Sequence, residues 1–368
     1  MLLRRIGLSL ALLLAPCLYT NAQTPEGQLA APQVPINDPH LRLIGRTDDR
    51  DPAHPHLAYP ATGVEFRFKG TGAALQLTAD TPNTALTIVV DHKAPMLAIL
   101  KSGANTVTLG ENLDDFPHTV EIYKRTETWQ GMLTLDGITL SPGATLLDLP
   151  PLPQRKLMFV GDSVTCGVGI DNNAQCTHDP ALPDINAYES YGMLLGRRLD
   201  AETQLVCFGG RGLVRDYRGL ALADNVVNIP DFLTLAIPVD KPEGRVPWDA
   251  ARFQPDAIFM SIGTNDMNLE KKKPLDETAW VAAYVDFLHK VRGLYPHSLI
   301  FVTEGSIVTD PLLARMVQRA AGQSLDSRVI YAPSQHYPGL PCNGHPTGIQ
   351  HRHMADDFEP IIRRTLNW

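Results

Sequence analysis

Four short stretches of this sequence hold the residue types needed to split an ester by nucleophilic attack. They are Gly161-Asp162-Ser163, Gly209-Gly210-Arg211-Gly212, Gly263-Thr264-Asn265-Asp266 and Asn343-Gly344-His345-Pro346. A serine hydroxyl is a weak nucleophile until a neighbouring base takes its proton, and histidine is the side chain best suited to that task at neutral pH. Ser163 is the candidate nucleophile and His345 the candidate base, with Pro346 restricting the backbone so that the histidine keeps one loop position. Attack on a carbonyl creates a negatively charged oxygen, which needs preset donors. The glycine turn lets a backbone N–H, that of Gly210, approach such an oxygen, and Asn265 can aim its side-chain amide at the same point. Asp266 is placed to hold its own loop by local hydrogen bonds. Taken singly, each stretch has an ordinary structural role: a capping serine, a flexible turn, an Asx turn, one of 12 histidines. The glycines lack the Gly-x-Gly-x-x-Gly spacing of a dinucleotide site.

The stretches gain force from the elements that must carry them. After a proline cluster at Pro150, Pro151 and Pro153, short apolar runs alternate with helical patterns. The runs Leu157 to Val160, Leu205 to Phe208, Ala257 to Met260, Leu299 to Val302 and Val329 to Tyr331 predict buried strands. Apolar residues at helical spacing separate them: Tyr188, Tyr191, Leu194, Leu195 and Leu199; Trp280, Tyr284, Phe287, Leu288 and Val291; Met354, Phe358, Ile361 and Ile362. Asp310-Pro311 supplies a cap and a first-turn proline for one more helix. Alternation of this kind predicts a parallel α/β sheet covered on both faces, which binds ligands beyond the carboxyl ends of its strands. Ser163, the glycine turn and Asn265 all follow such ends, and a helix opening after Ser163 would favour developing negative charge. Before the prolines the rhythm is different. From Gly63 to about Leu140, residues such as Val64, Phe66 and Phe68 alternate with polar ones, and Gly, Pro, Asn and Asp punctuate the runs, which predicts an all-β sandwich or jelly roll. The expected organisation is therefore a segment 1–22, a β-rich domain over 23–149, a junction at 150–154 and an α/β domain over 155–368.

The first 22 residues have the features of an export signal: Arg4 and Arg5, an apolar run from Ile6 to Leu14, then Thr20-Asn21-Ala22. The run is too short to span a bilayer, and Pro16 before Cys17 fits a lipoprotein signal poorly. Export to the periplasm or beyond allows disulfides among Cys166, Cys176, Cys207 and Cys342, with three possible pairings. Cys166 with Cys176 is the local choice, and Cys207 with Cys342 would then join two active-site stretches. A formal net charge of -8 gives no sign of a basic groove for nucleic acid and suits a neutral substrate such as a sugar polymer. No Cys-x-x-Cys pair is present, and His351 and His353 stand two apart on a predicted helix, so no metal or other cofactor is expected.

The four stretches, in this order, resemble the sequence blocks of the SGNH (GDSL-like) hydrolases. A β-rich region ending in Lys124-Arg125-Thr126-Glu127-Thr128-Trp129-Gln130-Gly131, the proline junction, Phe159 to Gly167 and Gly212-Leu213-Val214-Arg215-Asp216-Tyr217 narrow the similarity to carbohydrate esterase family 2. That resemblance implies a jelly roll followed by an SGNH catalytic domain, acting on acetylated plant polysaccharide such as xylan or glucomannan. It assigns Ser163 as nucleophile, His345 as base, and the Ser163 N–H with Gly210 and Asn265 as the oxyanion hole, with Asp162 and Asp266 as loop supports. The sequence departs from the pattern before the histidine, where the family carries aspartate: Cys342 and Asn343 stand there instead. Either Asn343 or a backbone carbonyl holds the His345 ring, giving a dyad with a slower base, or a carboxylate from elsewhere in the fold substitutes; a decayed site that only binds carbohydrate, or an esterase for another acyl carbohydrate or lipid, is the alternative. Trp129, Tyr217 and Trp248 are candidate platforms for sugar rings.

Overall fold

A computed structural model describes residues 30–171, 182–267, 274–337, 339 and 344–368. The 1–22 segment, Cys176, Cys342 and Asn343 lie outside the described residues. The N-terminal half forms two antiparallel sheets. One is built on Leu133–Leu140, Ala73–Ala79 and Gly103–Gly110, the other on Gly63–Gly70, Phe116–Lys124 and Ala85–Val90. In Gly63–Gly70 the side chains of Val64, Phe66 and Phe68 are wholly buried while Glu65 and Arg67 are not, so the period-two pattern puts one face inward. Val64, Phe66 and Phe68 meet Leu75, Leu77, Leu133 and Leu135 from the facing sheet in a single core.

The C-terminal half carries a five-stranded parallel sheet of Arg155–Gly161, Ala201–Cys207, Ala257–Ser261, Leu299–Thr303 and Val329–Tyr331. Every apolar run expected as a strand is one. Arg155–Gly161 lies between Ala201–Cys207 and Ala257–Ser261, so the chain first steps to one side and then to the other. That reversal splays the connections apart and leaves a crevice at the carboxyl ends of these three strands. Helices Tyr191–Leu199 and Gly348–Leu366 cover one face, with Tyr191, Leu195, Met354 and Phe358 packed on Phe159 and Phe259. Helices Glu277–Leu294 and Pro311–Gln323 cover the other, with Trp280, Tyr284, Leu313 and Met316 packed on Met158 and Met260. The caps follow their sequence signals: Asp310 Oδ1 accepts the Leu312 N–H at 2.9 Å, with Pro311 in the first turn.

The two halves share their cores. Tyr59 joins the cluster around Trp280, and Tyr123 joins the cluster around Tyr191. Arg46, from the β-rich half, is buried against the other half. Its guanidinium donates to the Leu233 carbonyl at 2.5 Å and lies over the Trp248 ring at 4.8 Å. Trp248 is itself only 9% exposed and is also covered by Arg252 at 4.7 Å. The expectation that Trp248 offers a face to sugar is therefore corrected: the ring is buried and packed against two guanidinium groups.

A second correction concerns the segment after Ser163. It is a run of tight turns, with the Cys166 N–H donating to the Asp162 carbonyl at 3.0 Å, and among the described residues no α-helix begins between Ser163 and Tyr191. Gly167 and Gly169 both take positive φ there, which breaks helical continuity. A third concerns the disulfide. Cys166 pairs with Cys207, not Cys176, with Cα atoms 5.6 Å apart. Gly161 and Cys207 are partners in the parallel register, so the turn that leaves Gly161 brings Cys166 beside Cys207 although the two cysteines are 41 apart in sequence.

Candidate active site

Ser163 and His345, 182 residues apart, meet at the mouth of the crevice with Ser163 Oγ 2.8 Å from His345 Nε2. The turn that follows the Arg155–Gly161 strand presents the serine. Asp162 Oδ1 accepts the Val164 N–H at 3.0 Å, an Asx turn that fixes the backbone on either side of Ser163. Asp162 is buried, and burial pushes its pKa up to about 6 against the pull of that N–H. The histidine comes from the loop before the last helix. Thr347, the N-cap of that helix, ties its N–H to Gln350 Oε1 at 2.8 Å, and Gly348 donates to the Ile170 carbonyl at 2.9 Å. Gly169 lies directly behind the histidine: a Cβ on it would sit 2.8 Å from His345 Cβ. The serine turn and the histidine loop are thus one packed unit.

The donors lie on the neighbouring strand ends. Gly210 has φ +74°, the left-handed region, and a Cβ there would press on the Tyr217 ring at 3.0 Å. Among the described residues, the backbone N–H groups of Ser163 and Gly210 are not spent on another backbone carbonyl. Asn265 Nδ2 donates to the Arg211 carbonyl at 2.8 Å. That bond fixes which end of the amide faces the glycine turn and leaves its second N–H available. Asp266 does not serve its own loop as expected. Its buried carboxylate reaches past the serine strand to the loop after Ala201–Cys207 and accepts the N–H groups of Leu213, Val214 and Arg215 at 2.6, 2.9 and 3.2 Å. Gly212 is needed there because a Cβ would strike Asp266 Oδ2. Burial pushes Asp266 up to about 6 even so. Arg215 returns the contact, its Nε donating to the Asp266 carbonyl at 2.7 Å.

Two surface aromatics stand beside the turn. Tyr217 is 55% exposed, and its N–H donates to the Gly210 carbonyl at 2.9 Å. Trp129 is 60% exposed and belongs to the loop of the β-rich half that carries Glu127. Glu127 is a residue of the site's surroundings to which sequence reasoning gave no role. It is fully buried beneath the glycine turn and accepts the Gly209 N–H at 2.5 Å. Burial pushes its pKa up to about 7, opposed by the bonds from Gly209 and Trp129 and reinforced by the negative charge of Asp162. Its only signal in the sequence was an acidic residue inside the Lys124 to Gly131 stretch.

His351 faces inward and His353 outward on the last helix. His351 Nδ1 accepts the Tyr191 N–H at 3.1 Å, and burial, aided by His345, pulls its pKa down to about 3. Among the described residues no group of three or more potential metal ligands occurs, and no helix is long and apolar enough to cross a membrane. The assembled groups can do one kind of chemistry well: a hydroxyl against an imidazole, beside uncommitted N–H donors, suits attack on an acyl carbonyl.

Residues 43–150 match the family model described as carbohydrate esterase 2 N-terminal. The chain is 35% identical over 339 residues to an acetylxylan esterase / glucomannan deacetylase of Cellvibrio japonicus, covering 91% of each. Its fold matches a family two carbohydrate esterase from the same organism with TM-score 0.85 and 34% identity, over 92% of this chain and 99% of that one. It also matches a family two carbohydrate esterase from Clostridium thermocellum in complex with cellohexaose, with TM-score 0.80 and 26% identity, over 89% and 99%.

Proposed function

The chain belongs to carbohydrate esterase family 2 and is a carboxylic ester hydrolase, and from that premise we propose that it removes O-acetyl groups from plant cell-wall polysaccharide, xylan or glucomannan, through an acyl-enzyme on Ser163. The observation that carries this reading is the 2.8 Å contact between Ser163 Oγ and His345 Nε2. His345 takes the hydroxyl proton as Oγ attacks the acetyl carbon. The resulting oxyanion accepts from the N–H groups of Ser163 and Gly210 and from Asn265 Nδ2. The intermediate collapses, His345 returns the proton to the departing sugar hydroxyl, and a water activated by the same imidazole releases acetate.

With Nε2 accepting the serine proton, Nδ1 carries the ring hydrogen, and the role of holding it falls to Asn343. A neutral partner fixes the tautomer but stabilises the imidazolium less than a carboxylate would. Trp129 and Tyr217 act as platforms for the sugar rings that bear the acetyl group. The β-rich region over 23–149 and the hydrolase region over 155–368 act as two domains joined at 150–154, and the 1–22 segment directs export before it is removed.

Acetate release from acetylated xylan and acetylated glucomannan tests the reading. Wild type should release acetate from at least one, and Ser163→Ala and His345→Ala should lose it by at least about 10³-fold. Release by Ser163→Ala at the wild-type rate would sink it.

A further inference from the structure

We propose that Glu127, a residue of the β-rich half, is the positioning residue of the oxyanion hole: its carboxylate holds the Gly209–Gly210 turn so that the Gly210 N–H meets the oxyanion. The inference rests on the esterase reading above and extends it, because it makes the active site depend on a side chain that the hydrolase sheet does not supply.

The geometry is specific. The Gly209 N–H donates to Glu127 Oε2 at 2.5 Å, and a Cβ on Gly209 would collide with both carboxylate oxygens. The carboxylate therefore lies against Gly209 Cα and fixes the peptide that immediately precedes the Gly209–Gly210 peptide, whose N–H is the proposed donor. Tyr217 closes the other side, with its N–H on the Gly210 carbonyl at 2.9 Å and its ring under Gly210 Cα. The turn is held from both sides: the Gly209 N–H goes to the Glu127 carboxylate, and among the described residues the Gly210 N–H meets no backbone carbonyl.

Glu127 is itself anchored at several points. Its N–H donates to Gln130 Oε1 at 2.9 Å, and its carbonyl accepts from the buried Lys124 ammonium at 2.9 Å. The Trp129 indole also bonds its carboxylate. Lys124 ends the Phe116–Lys124 strand, which is paired on both sides within its sheet. Two residues earlier than Glu127, Arg125 makes an ion pair with Asp171, at the end of the serine turn, and its carbonyl accepts the Ala187 N–H at 3.2 Å. One rigid strand end thus docks on the nucleophile turn through Arg125 and on the oxyanion turn through Glu127. Burying a carboxylate is costly unless hydrogen bonds satisfy its oxygens, and these bonds end at the turn whose placement the reaction needs.

The test compares wild type with Glu127→Leu, which keeps bulk but cannot accept, and Glu127→Gln, which keeps an acceptor. On a small soluble acetyl ester, Glu127→Leu should lower kcat about 10–10²-fold with KM changed less than about threefold, since small misplacements of catalytic donors cost that much. Glu127→Gln should restore most of the loss. A second readout isolates the hole. Sulfur accepts hydrogen bonds weakly, so the rate ratio between the oxygen ester and its C=S analogue should narrow about tenfold in Glu127→Leu; a purely structural defect would lower both rates alike. If Glu127→Leu does not fold, Glu127→Asp, which draws the carboxylate back by one methylene, carries the same two measurements. An unchanged kcat and an unchanged ratio in a folded variant overturn the inference while wild-type activity still supports the esterase; an inactive wild type overturns the esterase reading instead.

Discussion

Replacing Asn265 with alanine should remove one donor from the oxyanion and one tie from the loop that holds the other. With Nδ2 2.8 Å from the Arg211 carbonyl, one amide hydrogen of Asn265 is committed to the glycine turn, which leaves the second for the proposed bond to the oxyanion. Loss of a single oxyanion donor typically costs about 10²–10³ in kcat, or about 2.7–4 kcal/mol of transition-state stabilisation. The tie to Arg211 is a half-buried neutral hydrogen bond, so its loss should cost about 0.5–1.5 kcal/mol of folding stability. Asn265→Asp should be worse than Asn265→Ala. It keeps the shape but sets a negative oxygen against the Arg211 carbonyl and against the charge that develops on the substrate. The assay is steady-state hydrolysis of a chromogenic acetyl ester at neutral pH, with melting temperature measured alongside. The expected outcome is a fall in kcat with KM nearly constant, because the interaction is made in the transition state and not in the ground state. A kcat within about threefold of wild type in either folded variant would refute the assignment of Asn265 to the hole.

Three further outcomes follow from the packing. Gly169→Ala places a Cβ 2.8 Å from His345 Cβ at a φ of +84°, so it should push the imidazole away from Ser163 and lower kcat about 10–10²-fold, read on the same ester. Removing the Cys166–Cys207 bridge by a double Ala substitution frees a loop of 41 residues in the unfolded chain; the expected loss is about 3–4 kcal/mol, or roughly 5 °C in melting temperature. His351 has a folded pKa of about 3 against an ordinary 6.5, so the unfolded chain takes up a proton that the folded chain refuses. Its contribution is complete above pH 6.5 and is lost as pH falls toward 3; His351→Asn keeps an acceptor for the Tyr191 N–H, and the stability of wild type relative to this variant should fall by about 2 kcal/mol between pH 6.5 and 4.5 in denaturant titrations.

Much of the site was legible because the chemistry sits at strand ends, and strand ends are marked in sequence. Ser163, Gly210 and Asn265 each follow a continuous apolar run, and the parallel sheet brings those ends together whatever the intervening loops do. His345 was legible from its place just before a predicted helix. What escaped were contacts that depend on register and on docking. Cys166 looked local to Cys176, but the pairing of Gly161 with Cys207 set a different neighbour. Asp266 carried an Asx-turn signature, yet burial made three N–H donors on another loop its better partners. Trp248 had no helical or strand pattern to show that Arg46, some 200 positions earlier in the chain, would cover it. Glu127 lay in a stretch noted only as a likeness, since nothing local shows that a loop of one half reaches beneath a turn of the other.

The acyl-enzyme is the step on which the account stands. Mixing enzyme with excess p-nitrophenyl acetate, quenching in acid within the first turnovers and mapping peptides by mass spectrometry reads it directly. The expected result is one added acetyl group on the peptide containing Ser163, accumulating further in enzyme whose deacylation is slowed and absent in Ser163→Ala. Turnover with no acetyl group on Ser163 at any quench time, or with the group on another residue, would contradict it.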